Sequence, residues 1–143
     1  MMADGFFVQV RRNQVALISL LVACTSLAYA TWRNEATEAN RNLRAAGFEM
    51  IREIAGLERV VFFAHYDRDV TQGNPRLGWS HVLTLVDLAA LQTAPVRSRA
   101  EALRSVWQDN WQALGIDDAA ADVVTMAIDG LRSEVLAGLS ALD

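Results

Sequence analysis

A chain of 143 residues is long enough for one domain and too short for two. Its net charge of -4 argues against a nucleic-acid partner, since phosphate binding requires local positive charge, and its 13 basic residues are all arginine, which reads as codon usage. The single cysteine excludes an internal disulfide, CxxC zinc sites and CxxCH haem attachment, and no Walker-type loop, GxGxxG, GxSxG or HExxH is present, so no cofactor and no catalysis is expected.

Apolar residues concentrate near the N-terminus. Val15 to Trp32 carries no charge and lies between Arg11-Arg12 and Arg33. These 18 residues would span about 27 Å as a helix, enough for the hydrocarbon core of a bilayer. Tyr29 and Trp32 fall where an interfacial aromatic belt sits, and Arg11-Arg12 favour a cytoplasmic N-terminus. Three fates compete. Ala28-Tyr29-Ala30 suits a signal peptidase cutting before Thr31, and Leu21-Val22-Ala23-Cys24 resembles a lipobox with Cys24 as the lipidated residue. The third, an uncleaved signal anchor, is the favoured expectation, because no Gly or Pro interrupts the helical pattern before the candidate cleavage site and the strongly helical sequence from Thr31 to Met50 runs straight on. The expected layout is a cytoplasmic head over 1–14, a transmembrane anchor over 15–32 and a periplasmic helical domain over 33–143, in a bacterial inner membrane.

Beyond the apolar segment, Leu43, Gly47, Met50, Ile54, Leu57, Val61 and Ala64 alternate spacings of four and three, the seam of a helix that packs on others. No proline interrupts it before Pro75, so one helix reaching about Asp69 is expected. Val70 to Gly78 collects Gly73, Asn74, Pro75 and Gly78 and reads as a loop. A second helix is expected from about Ser80 to Gln92, with a strand open as an alternative because His81 to Leu88 is partly β-branched and alternating. Ser98 to Glu101 fits a capping box for a third helix that Gly115 would end, with Leu103, Trp107, Trp111 and Leu114 along one side. Asp117 or Asp118 can cap a fourth, with an apolar stripe of Val124, Ile128, Leu131, Val135 and Leu139.

The fold expected from this pattern is all-α: an N-terminal transmembrane helix continuing into an antiparallel four-helix bundle, since short connections favour antiparallel neighbours. It has a general likeness to the sensor domains of bacterial chemoreceptors and kinases, whose second span and signalling module have no counterpart here; no family is assigned.

Residues 33 to 116 balance ten arginines against ten acids, whereas Asp117 to Asp143 holds six acids and only Arg132. A solvated face is the plain reading; Trp111, Asp117, Asp118, Asp122 and Asp129 are the residues that would face a partner. A second polar grouping is His65, Asp67, Asp69 and His81: His65 and Asp69 share a helical face at i,i+4, and His81 could join them around a metal, although helix-end histidines more often serve hydrogen bonding. Trp79, Trp107 and His65 would line a ligand pocket if one existed between the helices, while helical spacing makes the tryptophans core residues first. The functional expectation is a membrane-anchored accessory or scaffold protein whose partners are inner-membrane or periplasmic proteins, a second copy included. The alternative is a ligand-binding or sensory helical domain acting through a partner.

Overall fold

A computed structural model of the chain describes residues 13–142. The expected cytoplasmic head, Arg11 and Arg12 included, lies almost wholly outside the described residues, as does Asp143. The described chain is all-helical: α1 spans Gln14–Phe62, α2 Pro75–Ala89, α3 Ala94–Asn110 and α4 Asp118–Ser140, with a π-helical turn over Phe63–Asp67 after α1. It divides into two compact units, Met1–Ala39 and Asn40–Asp143.

The first unit contains the apolar part of α1. It is the one helix among the described residues long and apolar enough to cross a membrane, with an 18-residue window of mean hydropathy 1.8 of which none is buried within the chain. Val15, Ile18, Leu21 and Leu27 are all exposed. The threonine hydroxyls here are satisfied by the helix itself: Thr25 donates to the Leu21 carbonyl at 2.8 Å and Thr31 to that of Leu27 at 3.0 Å. Such back-bonding removes the need for water around a polar side chain.

The second unit builds one hydrophobic core from all four helices. Met50, Ile54 and Leu57 come from α1, Val82 and Leu85 from α2, Leu103 and Trp107 from α3, Leu114 from the turn after it, and Val124, Ile128 and Leu131 from α4. All of them are fully buried, and each set follows the helical period that puts one stripe inward. Of the residues expected along these stripes, Leu43, Trp111 and Leu139 are only half-buried. Cross-helix contacts between α1 and α4 run in opposite chain order. Arg44 donates to the Leu142 carbonyl, Leu139 packs where a side chain at Gly47 would stand, Glu58 pairs with Arg132 at 2.5 Å, and His65 faces Asp118.

Four helix ends differ from expectation. α1 gives way to the π-helical turn, closed by Arg68 in the left-handed region at φ 51°, and the Asp69 N–H reaches back to the Phe63 carbonyl at 3.0 Å. α2 starts at Pro75 and not near Ser80: the Asn74 side chain accepts the Arg76 N–H at 3.0 Å, and proline at the first helical position has a fixed φ already suited to a helix. Pro75 and Gly78 look like loop formers in sequence, yet Gly78 is a buried helix residue against Trp107. α3 starts at Ala94 and not at the Ser98 capping box, because Val96 and Ala100 must already be helical to share a face with Leu103 and Trp107. It ends at Asn110, five residues before Gly115. Asp117 caps α4 as expected, accepting the Ala119 N–H at 3.0 Å.

Removing the α2 cap has a measurable cost. Asn74→Ala should lower stability by about 1 kcal/mol, checked by denaturant unfolding beside wild type, with Asn74→Asp retaining most of it.

Candidate functional site

The candidate polar residues resolve into two separate pairs. His65 sits in the π-helical turn with its side chain only 15% exposed. Its Nδ1 lies 3.1 Å from the Leu114 carbonyl, and its Nε2 lies 3.5 Å from Asp118 Oδ1. Both ring nitrogens therefore face oxygen acceptors, and the side chain ties the end of α1 to the turn preceding α4. His81, on α2, turns the other way: its Nδ1 is 2.7 Å from Glu53 Oε2 on α1, and its ring lies over Gly56, where a Cβ would come within 2.5 Å of it. His65, Asp69 and His81 do not converge, and no group of three His, Cys, Asp or Glu side chains among the described residues could hold a metal ion. The helical phase of α2 explains this, because burying Val82 and Leu85 directs His81 toward Glu53 on α1.

Asp69 instead organises the loop between α1 and α2. Its Oδ1 accepts the N–H groups of Thr71 at 2.8 Å and Gln72 at 3.0 Å, and its Oδ2 accepts Gln72 Nε2 at 3.1 Å. The Gln72 backbone N–H first, then that of Thr71 and the Gln72 amide, hold this carboxyl below its ordinary value of 3.8. A depressed folded-state value contributes stability above the unfolded value and loses it as pH falls through the lowered one. Asp69→Ala should therefore be less stable than wild type at about pH 7 and converge on it as the pH falls through the lowered value, by denaturant unfolding across that range. Asp67 is exposed to solvent.

On the acidic side, Asp117 is taken up as the α4 cap and Asp118 faces His65. Asp122 is exposed; Asp129 holds Arg132 at 3.0 Å, which also reaches Glu58. The exposed face of α4 adds Val123 and Met126, the latter 73% exposed, so acids and apolar side chains alternate there. Trp111 packs against the core from the edge, Trp79 does the same, and Trp107 is wholly inside with an indole N–H that has no partner among the described residues. Trp79, Trp107 and His65 line none of three cavities of about 460, 310 and 240 Å³ in the second unit.

A cavity of about 460 Å³ lies elsewhere, between the loop after α1 and the turn after α3. Arg68 and Arg76 line it together with Val70, Pro75, Gln112 and Ile116. Neither arginine has an ion-pair or hydrogen-bond partner for its guanidinium among the described residues. The sequence signal for it is slight: two arginines flanking a Gly-Asn-Pro loop, with Gln112 and Ile116 contributed from about forty residues further on. Comparison of the chain with protein-family models, with curated proteins and with solved structures finds no match.

Proposed function

We propose that the chain is a single-pass inner-membrane protein, N-terminus in the cytoplasm, whose domain on the periplasmic side is an antiparallel four-helix bundle that binds other envelope proteins as an accessory or scaffold subunit. The observation that carries this reading is the contrast between the two units. The second completes a core of its own, while the apolar window of the first is left wholly uncovered. Apolar surface of that extent is stable only against a bilayer or a partner, and its length matches the hydrocarbon core. The opposite chain order of the α1–α4 contacts and the short connections support the bundle topology. The alternation of Asp122, Val123, Met126 and Asp129 on α4 supports a protein partner with basic and apolar side chains.

The test is a mild-detergent purification of a C-terminally tagged copy from native membranes, with intact-mass measurement of the bait and quantitation of what accompanies it. The expected result is a bait that retains the residues before Thr31, together with stoichiometric envelope proteins that are lost from an Asp122→Lys, Asp129→Lys variant. A bait shortened to Thr31 or lipidated at Cys24 overturns the anchor, and an unchanged set of companions overturns the α4 surface.

A further inference from the structure

The groove between the α1–α2 loop and the turn after α3 brings two arginines to one concavity. Elsewhere several arginines are offset: Arg52 pairs with Glu49, Arg104 lies 3.6 Å from Glu101, and the half-buried Arg132 bridges Glu58 and Asp129. Arg68 and Arg76 have no such acid among the described residues, although both line one concavity. Asp69 is the only acid in its wall, and its two oxygens already accept three N–H groups from Thr71 and Gln72. The groove thus holds two guanidinium groups free to take an anion, with a carboxylate the natural planar match. Arg68 is held there by the backbone: it is the one non-glycine residue among the described chain with positive φ, at 51°. Such a conformation costs free energy in most residues and persists where the surroundings impose it.

Beside Asn74 and Gln112, the wall also carries apolar side chains. Val70 is 86% and Ile116 89% exposed, and both line the groove together with Pro75. A volume of about 460 Å³ admits a carboxylate and a side chain or two. Sites for free small molecules usually bury most of the ligand. This groove is open to solvent, which suits the end of a longer chain that can lead out of it. We infer that the groove binds the C-terminal end of a partner polypeptide, its free carboxylate between Arg68 and Arg76 and its last apolar side chains against Val70 and Ile116. The inference deepens the reading of the domain as a binder of other proteins by naming the part of the partner it takes; the groove lies wholly within residues 64–116, so its test is independent of the anchor.

The test uses the full chain in nanodiscs, amide-labelled for NMR, titrated with three probes: an N-acetylated hexapeptide ending Ala-Val-Leu with a free carboxylate, the same peptide amidated, and N-acetyl-leucine. The free-carboxylate peptide is expected to shift the resonances of residues 68–76 and 112–116 saturably. Amidation should weaken binding about tenfold or more, as should Arg68→Gln and Arg76→Gln, each of which removes a charge-assisted contact while leaving the unfolding midpoint unchanged. Equal binding of the amide, equal binding by the two variants, or no saturable shift overturns the inference. N-acetyl-leucine binding as tightly as the peptide also overturns it, in favour of a free small carboxylate. If the peptide binds as expected while the tagged chain brings no partner from membranes, the groove stands and the scaffold reading fails; the reverse result separates them the other way.

Discussion

Gly78→Ala should destabilise the domain by about 2 kcal/mol, although alanine is the better helix former by about 1 kcal/mol. A Cβ at position 78 would stand against Cζ2 and Cη2 of Trp107, well inside van der Waals separation. Trp107 is fully buried and packed among the core residues of all four helices, so the ring has nowhere to go. Overpacking of this kind costs about 1–3 kcal/mol, and two ring atoms this close place the cost at the upper end, outweighing the propensity gain. Combining substitutions separates the two contributions. Trp107→Ala alone should cost about 3–5 kcal/mol by opening a cavity, but in that background Gly78→Ala should become stabilising by up to about 1 kcal/mol, because only helix propensity remains. Denaturant unfolding of the four chains measures the cycle. An equal effect of Gly78→Ala with and without the indole contradicts the contact.

The second large effect concerns the apolar unit. Val15, Leu17, Ile18, Leu20, Leu21, Val22 and Leu27 together favour insertion by about 2–4 kcal/mol, whereas one arginine near the middle of a span costs about 3 kcal/mol. Leu21→Arg should therefore abolish stable integration, so that the chain is extracted from membranes at alkaline pH. Leu83→Arg, at a position 48% exposed on α2, should leave integration unchanged. Retention of the Leu21→Arg chain in the membrane contradicts the assignment of this segment.

How much is legible in the sequence depends on whether a feature is local. The inward stripes of Met50, Ile54 and Leu57 and of Val124, Ile128 and Leu131 can be read directly, because the helical period alone decides which side chains share a face. Asp117 is legible as a cap for the same reason, its role needing only the next two residues. The starts of α2 and α3 are not. Pro75 and Pro95 each serve in the first turn of a helix, a use of proline that looks the same in sequence as a break. Gly78 also reads as a loop residue until Trp107, 29 positions later, is known to lie on it.

The candidate site is less legible than the fold. His65 and His81 look able to meet because they flank one loop, but the packing of α2 sends His81 to Glu53 while His65 turns to Leu114 and Asp118. The groove assembles Arg68, Arg76 and Ile116 from two connections far apart in the chain, and no local pattern announces that they share a wall. The charge pattern does expose the excess of acid from Asp117 onward, which includes Asp122 and Asp129 on the outer face of α4.

The proposed placement of the second unit on the periplasmic side of a membrane can be measured directly. Ser133, exposed on α4, is replaced by cysteine in a Cys24→Ser background, and spheroplasts are treated with a membrane-impermeant maleimide before alkaline extraction. A periplasmic domain on an uncleaved anchor predicts labelling of intact spheroplasts on a full-length chain that stays with the membrane. Labelling only after lysis, or a full-length chain released into the soluble fraction, would contradict it.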